Sequence, residues 1–358
     1  MEQTIRISPV LNSRVSEVDF DNIPFGREFT DHMFVSDYRD GKWGDFRIEP
    51  YGNISISPAN MALHYGQAIF EGMKASINEE GVPLLFRPEK HAGRLNKSAV
   101  RLGMPEFPED VFVKALHELL KLDSAWIPTS EGSALYIRPF MFATDEHIGV
   151  RPSFSYKMMI LALPVGPYYP KPVRILVAQK YVRAVKGGVG FVKAAGNYAA
   201  TLMPMKIAKS MGFDQILWMS SDFKYVEEAG TMNVFFQIGD KIVTPSTEDG
   251  TILEGITRDS FIQILRGKGI EVETRKVTIE ELIEAHNSGI LKDVFGAGTA
   301  AVVATVSEIK YRDILMTLPD PSNRPISQML KKELNGIRNG SIADKFDWVQ
   351  PVMLEKVV

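Results

Sequence analysis

The chain has 358 residues, of which 45% are hydrophobic, 10% aromatic and 24% charged, a composition typical of a folded globular protein. Its formal net charge of -3 leaves no basic surplus, which argues against a nucleic acid or an anionic membrane surface as partner. Cysteine is absent, so disulfides, thiolate nucleophiles and cysteine-ligated metals are excluded.

The six histidines are scattered, with no pair at helical ligand spacing, and we therefore predict no metal site. The N-terminus lacks the apolar core of a signal peptide, and no apolar run approaches the roughly 20 residues that span a bilayer. We expect a cytoplasmic protein. The length favours two domains of about 150–190 residues each.

The first 164 residues alternate short strands with amphipathic helices. Periodicity and capping signals predict, in chain order, strands around 34–35 and at 44–48, a helix with Ser57 as N-cap and with Tyr65 and Phe70 near its end, a strand at 84–87, helices at 89–102 and 109–122, and strands at 134–140 and 154–163.

A domain boundary is predicted at 164–172, where four of nine residues are proline. Such a stretch is stiff and poorly suited to a sheet. It divides the chain into a smaller N-terminal α/β domain at 1–164, a proline-rich linker at 165–172 and a larger C-terminal α/β domain at 173–358 that carries Lys193.

The second half also mixes strands and helices. The predicted elements are strands at 173–178 and 215–219, a helix at 197–211 kinked by Pro204, a hairpin of 233–238 and 241–244 across Gly239-Asp240, a helix from near Thr257, and a helix opened by a capping box at Thr278-Ile279-Glu280-Glu281. The whole is a mixed α/β (α+β) protein with a cleft between two domains.

One lysine stands out in the middle of the chain. Residues 187–200 read Gly-Gly-Val-Gly-Phe-Val-Lys-Ala-Ala-Gly-Asn-Tyr-Ala-Ala, which places Lys193 between glycine-containing turns and small or apolar neighbours. Desolvation favours the neutral amine that forms a Schiff base. Taken alone, this pattern favours a solvated lysine on a mobile loop.

Other short motifs change that balance because of their order along the chain. They are Phe70-Glu71-Gly72, Arg87-Pro-Glu-Lys-His-Ala-Gly-Arg94-Leu, Tyr136-Ile-Arg138-Pro, Glu227-Glu228-Ala-Gly-Thr231, Leu253-Glu-Gly-Ile256-Thr257-Arg and Phe295-Gly-Ala-Gly-Thr299-Ala300. Together they resemble the fold-type IV pyridoxal-phosphate enzymes, and most closely the branched-chain amino acid aminotransferases, over roughly Phe34 to Arg312. The resemblance implies two α/β domains with pyridoxal 5'-phosphate in the cleft between them.

The resemblance also implies roles around the cofactor. Lys193 would bind it covalently and then move a proton. Glu228 would keep the pyridine nitrogen protonated, with its neighbour Glu227 expected to be a solvated strand residue. Tyr198 would donate to the phenolate oxygen. The phosphate would be held by Arg94, by backbone N–H groups at Ile256 and Thr257, and by Thr299.

Substrate recognition is implied in the same way. The α-carboxylate would be held by the turn at Thr299-Ala300 with help from Tyr136, and Arg138 would bind the γ-carboxylate of glutamate. The remaining pocket would be formed by Phe70, Tyr65, Tyr168 and Thr231. In the family the residue that matches Tyr65 reaches across from the partner subunit, which implies a homodimer.

Two departures from the family pattern are visible. Ala195-Gly196 stands where two glycines often precede Asn-Tyr, which keeps a small-residue turn. Some relatives carry Cys-x-x-Cys after the Gly-Thr-Ala turn, whereas this chain has Ala301-Val302-Val303-Ala304 and therefore lacks that redox switch.

The function implied is reversible amino transfer from leucine, isoleucine or valine to 2-oxoglutarate. The alternatives are a D-amino-acid aminotransferase or an aminodeoxychorismate lyase of the same fold, and the motifs at 70–72 and 136–138 favour the branched-chain class. A non-catalytic cofactor-binding protein is a further alternative, against which the intact set of lysine, glutamate, tyrosine and arginine argues. No glycine-rich phosphate loop follows a strand as a nucleotide-binding module requires.

Overall fold

The computed structural model describes residues 4–23, 25–167, 169 and 171–354. Grouped by their contacts, the residues form two units. The first contains Met1–Tyr168, Lys193–Gly196 and Gly336–Val358, and the second contains Tyr169–Val192 and Asn197–Asn335. This grouping differs from the predicted segments 1–164 and 173–358 in two respects.

The first difference concerns Lys193, which was expected in the C-terminal domain and groups with the first unit. The Phe70 amide donates to the Lys193 carbonyl oxygen at 3.1 Å, and Ile69 forms a β-bridge with Ala194. The second difference is the C-terminal segment, which returns to the first unit because Val349–Pro351 pairs with the strand Pro83–Phe86.

The first unit is built on one mixed sheet with helices on it. Its strands are β1 (Arg6–Ile7), β2 (His32–Arg39), β3 (Lys42–Pro50), β4 (Ala68–Phe70), β5 (Met73–Ile77), β6 (Pro83–Phe86), β7 (Ala134–Ala143), β8 (Tyr156–Val165) and, from the chain end, β18 (Val349–Pro351). Its helices are α1 (Met61–Tyr65), α2 (Pro88–Arg101) and α3 (Glu109–Leu122). The sheet order is β1-β3-β2-β8-β7-β5-β6-β18, with β4 beside β7.

The second unit contains a closed ring of strands. Its strands are β9 (Val173–Val177), β10 (Gln215–Met219), β11 (Val226–Ala229), β12 (Met232–Ile238), β13 (Lys241–Pro245), β14 (Val272–Arg275), β15 (Leu291–Gly298), β16 (Val302–Tyr311) and β17 (Ile314–Thr317). Its helices are α4 (Ala195–Ala199), whose first two residues group with the first unit, α5 (Leu202–Ser210), α6 (Ile256–Gly267), α7 (Ile279–Asn287) and α8 (Pro325–Arg338), whose last turn passes into the first unit. The ring closes because β11 also pairs with β12, and its strand order is β11-β10-β9-β16-β15-β12.

Periodic apolar spacing predicted the long helices well. Helix α3 has the predicted bounds, and its buried face carries Phe112, Ala115, Leu116 and Leu119. The hairpin across Gly239-Asp240 is also confirmed, with Ile238 opposite Lys241 and a positive φ of 60° at Gly239 that glycine adopts without strain.

Helix ends were predicted less well. The helix expected to begin at Ser57 has Asn60 as its N-cap, whose Oδ1 accepts from the Ala62 amide at 2.8 Å. It ends at Tyr65, and Phe70 lies on strand β4. The hydroxyl of Ser57 closes the preceding turn instead.

The helix predicted at 197–211 is interrupted, so that α4 ends at Ala199 and α5 begins at Leu202. Pro204 lies in the first turn of α5, where its missing N–H is tolerated. Its ring would clash with the carbonyl four residues earlier in a continuous helix. The predicted kink is therefore a complete break.

The prediction that prolines keep 164–172 out of the sheet is wrong at its start. Pro164 lies on β8 opposite Leu135, and Val165 completes that strand. The pairing of β8 with β2 ends at Ile160. Beyond that residue the side of β8 that faced β2 has no ladder partner among the described residues, so a proline, which lacks an N–H donor, is tolerated there.

The capping box at Thr278 forms only in part. The Thr278 hydroxyl accepts from the Glu281 amide at 3.1 Å, as predicted. The Glu281 carboxylate binds the guanidinium of Arg275 at 2.6 and 2.9 Å instead of the N-cap amide.

None of the helices in the described part of the chain combines the length and apolar character needed to cross a lipid bilayer.

Lys74 is a buried lysine on β5 whose burial should make stability depend on pH. Burial lowers the pKa of Lys74 to about 7, and the charge of Arg338 adds to this effect. The unfolded chain has a lysine pKa of about 10.4, so between pH 7 and 10 it binds more protons than the folded chain. Stability should therefore rise with pH in that window, by up to about 1.4 kcal/mol per pH unit.

We expect the variant Lys74→Met to lose this rise. Urea unfolding at a series of pH values measures it, and the difference between variant and wild type is the quantity to follow. The exposed Lys90, changed to methionine, is the control and should leave the slope unaltered. A wild-type slope that survives in Lys74→Met would refute the assignment.

Candidate active site

Four of the predicted site residues come together in the first unit. The ring of Phe70 has Lys193 Nζ at 4.7 Å and the Arg138 guanidinium carbon at 4.6 Å from its centroid. Arg138 Nη2 donates to the Tyr136 hydroxyl oxygen at 2.9 Å. Arg138 Nε is buried and has no hydrogen-bond partner among the described residues. The group thus offers an aromatic surface beside a buried donor suited to a carboxylate.

Gly72 makes room for this group. A Cβ at position 72 would lie 2.0 Å from the Tyr136 hydroxyl oxygen, which real atoms never do. The close approach explains why glycine follows Glu71 and why the sequence motif Phe-Glu-Gly borders the site.

The main chain of Lys193 is held on both sides. Its amide donates to Ser98 Oγ at 3.0 Å, and its carbonyl accepts from the Phe70 amide at 3.1 Å. Ser98 Oγ in turn donates to the Arg94 carbonyl at 2.9 Å within α2. The predicted phosphate arginine and the predicted covalent lysine are thereby linked through one helix.

Arg94 itself is bound by a buried carboxylate. Glu71 Oε1 accepts from Arg94 Nε at 2.7 Å, and Oε2 accepts from Arg94 Nη2 at 2.8 Å and from His91 Nδ1 at 2.8 Å. Burial alone would raise the pKa of Glu71, but the charge of Arg94 and the hydrogen bonds from Arg94 and His91 hold that pKa far below its usual value. Glu71 is therefore ionised at every pH of interest.

The other predicted residues of the first unit differ in what they show. Tyr65 ends α1 and is 40% exposed. Tyr168 lies outside the described residues. Phe25, which the sequence did not suggest, meets Tyr136 edge to face at 5.7 Å between ring centroids.

In the second unit Glu228 is buried on β11. Its Oε1 accepts from the Leu253 amide at 2.8 Å, and its Oε2 lies 3.2 Å from Arg183 Nε, an ion-pair distance without hydrogen-bond geometry. The expectation that Glu227 is solvated is wrong, since it is only 5% exposed. Burial raises the pKa of Glu227, and its Oε2 has no hydrogen-bond partner among the described residues. All four residues of β11 are buried, so both faces of this strand are covered, which strand alternation alone could not reveal.

Tyr198 and Thr231 line the same small pocket of the second unit as Glu228. Its walls are formed by Arg183, Val192, Asn197, Tyr198, Thr201, Glu228, Gly230, Thr231 and Leu253. Asn197 fixes the turn before Tyr198 by donating to the carbonyls of Val189 at 2.8 Å and Val192 at 3.0 Å. Thr231 lies in the two-residue turn between β11 and β12.

The first turn of α6 carries the other predicted donors. Ile256 and Thr257 are the first two helical residues, with Gly255 as N-cap, so their amides belong to the groups that have no partner inside the helix. Thr257 Oγ1 is buried and unpaired among the described residues. Thr299 and Ala300 lie in the tight turn that joins β15 to β16, where Gly298 faces Val302.

The comparisons with known proteins agree on one family. The description "Amino-transferase class IV" matches residues 68–309. A curated relative, branched-chain-amino-acid aminotransferase 2 of Bacillus subtilis (strain 168), is 46% identical over 98% of both chains. Branched-chain-amino-acid transaminase 1 of the same organism is 44% identical over 93% of this chain and 95% of the relative.

Solved structures agree with the fold. The branched-chain aminotransferase of Thermoproteus uzoniensis with norvaline has a TM-score of 0.75 at 27% identity, over 90% of this chain and 100% of that one. A T.th. branched-chain amino acid aminotransferase with pyridoxamine 5'-phosphate has a TM-score of 0.73 at 26% identity, over 89% of this chain and 98% of that one.

The chain belongs to the class IV aminotransferase family, the fold-type IV pyridoxal-phosphate enzymes. It is a transaminase that depends on pyridoxal 5'-phosphate. The donors present fit such a group. The unpaired buried hydroxyl of Thr257 stands among amides that have no partner inside the helix, as a phosphate requires, and the buried Glu228 offers a carboxylate for a protonated ring nitrogen. Among the described residues no cluster of three or more metal-ligating side chains occurs.

Sequence reasoning missed the residues that hold the predicted ones in place. Glu71 was visible in the motif Phe70-Glu71-Gly72, yet nothing in the sequence tied it to Arg94. Arg183, which faces Glu228, lies outside all the quoted motifs. Both contacts join residues far apart in the chain, and no spacing rule reports such pairs.

Proposed function

We propose that this enzyme transfers the amino group of leucine, isoleucine or valine to 2-oxoglutarate, giving branched-chain 2-oxo acids and glutamate. The observation that carries the proposal is the group of Phe70, Tyr136 and Arg138. It places an apolar aromatic surface beside Arg138 Nε, a buried donor without a hydrogen-bond partner among the described residues. Such a site suits both an aliphatic side chain and, in the second half-reaction, a γ-carboxylate. The names of the relatives support the same substrates.

The chain's own residues supply positioning and proton transfer. The cofactor, when bound, supplies an electron sink for the charge that develops at the substrate Cα. Lys193 Nζ takes the proton from that Cα and returns one. Glu228 holds a proton at the ring nitrogen, and Tyr198 donates to the phenolate oxygen. The phosphate is held by Arg94, by the amides of Ile256 and Thr257, and by the hydroxyl of Thr299.

The substrate is held by a second set of residues. Its α-carboxylate is bound by the turn at Thr299-Ala300 with the Tyr136 hydroxyl. Arg138 binds the γ-carboxylate of glutamate. The side-chain pocket is assigned to Phe70, Tyr65 and Thr231, and Tyr168 stays a prediction from the sequence.

A homodimer is part of the proposal. On α1, Tyr65 is 40% and Leu63 is 60% exposed. Phe154 is 73% exposed on the loop that follows Asp145. This loop lies beside α1, because the Met61 amide donates to the Asp145 carbonyl oxygen. Exposed apolar side chains on neighbouring segments are typical of a covered surface. A monomer in sedimentation of the holoenzyme would contradict the homodimer.

The predicted cytoplasmic location stays a prediction.

The test is the visible absorption of the holoenzyme during substrate addition. L-Leucine should bleach the band of the bound cofactor, and 2-oxoglutarate should restore it, which records both half-reactions. Bleaching by D-alanine alone would favour a D-amino-acid aminotransferase. A protein that shows no band with added pyridoxal phosphate would overturn the assignment of Lys193.

A further inference from the structure

We propose that Glu71 and His91 act as positioning residues that orient the Arg94 guanidinium toward the cofactor phosphate. The inference rests on the proposed function, in which Arg94 binds that phosphate. The rival explanation is that Glu71 only balances a buried positive charge. The two explanations predict opposite effects when the charge of Glu71 is removed.

The geometry around Glu71 is that of a fixed support. Its carboxylate is fully buried and accepts four hydrogen bonds: from Arg94 Nε at 2.7 Å, Arg94 Nη2 at 2.8 Å, His91 Nδ1 at 2.8 Å and the Gly72 amide at 3.2 Å. Three of these bonds reach Oε2 and one reaches Oε1, so Glu71 cannot rotate without losing a bond. His91 and Arg94 are three residues apart on α2, which places both on one helix face.

When one edge of a guanidinium is held, the direction of its remaining N–H donors is set as well. The group is planar with five N–H donors in a rigid fork. The bonds from Nε and Nη2 to Glu71 fix the plane, and so fix where the Nη1 donors point. A free arginine side chain would have to give up rotamer entropy when it bound an anion, and Glu71 removes most of that cost before binding.

His91 supports Glu71 without adding charge. Burial lowers the pKa of His91, with the Glu71 carboxylate opposing the shift only in part, so the imidazole is neutral and donates from Nδ1. A neutral donor keeps the carboxylate in place and leaves its charge to Arg94. This arrangement is what orientation requires and is superfluous for charge balance.

The decisive measurement is the dissociation constant of pyridoxal 5'-phosphate, compared with that of pyridoxal, which lacks the phosphate. Full-length protein freed of cofactor is titrated spectroscopically with each. Glu71→Gln should weaken binding of pyridoxal 5'-phosphate roughly 10- to 100-fold through lost charge-assisted bonds and leave pyridoxal within about threefold. Glu71→Asp keeps the charge but is too short for the fork, and should also weaken it.

The rival explanation gives a different pattern. If Glu71 only balances charge, Glu71→Gln leaves a more positive site that binds pyridoxal 5'-phosphate as tightly or more tightly, and Glu71→Asp matches the wild type. Either result overturns the proposal.

A matched pair of variants at position 91 tests the support that His91 gives to Glu71 without changing any charge. Asparagine can place an N–H near the site of Nδ1, whereas leucine cannot. His91→Asn should bind pyridoxal 5'-phosphate nearly as the wild type does, and His91→Leu should bind it several-fold more weakly. Equal affinities for the two variants would refute the part assigned to His91, even if a Glu71 variant failed to fold.

Arg94→Gln separates this proposal from the one on which it rests. If Arg94→Gln keeps the wild-type preference for pyridoxal 5'-phosphate over pyridoxal, Arg94 does not bind the phosphate and the proposed role of Arg94 is wrong. If Arg94→Gln loses that preference while the Glu71 and His91 variants keep it, only the positioning role is wrong.

Discussion

Replacing Lys193 with alanine is expected to lower kcat by about 10⁴-fold or more, because in the proposed function this one side chain both binds the cofactor covalently and moves the Cα proton. The fold should survive. The main-chain bonds of Lys193 to Ser98 and Phe70 do not involve its side chain. Steady-state transamination of L-leucine and the circular dichroism spectrum measure the two effects.

Lys186→Ala is the matched control, since this lysine lies seven positions earlier and its exposed ammonium pairs with Asp249 at 2.8 Å. It should retain wild-type activity. Borohydride reduction followed by peptide mass mapping gives an independent readout, because it locates the lysine that carries the cofactor. Sustained turnover by Lys193→Ala, or a label on another lysine, would contradict the assignment.

The second large effect is expected for Glu228→Gln. Loss of the carboxylate that we propose lies beside the ring nitrogen should lower kcat roughly 10²- to 10³-fold, the range found when one electrostatic stabiliser is removed. The same change leaves the buried Arg183 without its ion-pair partner at 3.2 Å. Removing one member of such a pair costs about 3 kcal/mol or more, which urea unfolding would detect.

The neighbouring Glu227 supplies the control, because it is equally buried on the same strand and its raised pKa favours the neutral form. Glu227→Gln should therefore alter kcat less than about threefold and stability by about 1 kcal/mol or less. The opposite ranking of the two variants would mean that Glu227 is the residue beside the cofactor.

How much of the fold could be predicted depends on the range of the interactions. Helix α3 and the hairpin at Gly239-Asp240 follow from residues within one element, so apolar spacing and turn chemistry predicted their bounds. The break before Pro204 and the strand position of Pro164 depend on neighbours in space. A proline in an isolated pattern signals only a disturbance, and packing decides whether it becomes a kink, a break or a strand end.

The order of motifs along the chain was enough to predict the family, the cofactor and Lys193, Arg94, Tyr198 and Glu228 as candidate site residues, because that order resembles the fold-type IV enzymes. The chemistry of pyridoxal phosphate explains the kinds of side chain but not their order. How those side chains are held became visible only in the folded chain. Glu71 reaches Arg94 across 23 positions, and Arg183 faces Glu228 although the two lie far apart in the chain. Such contacts arise when separate strands and helices pack, and no local pattern of residues encodes the distance between them.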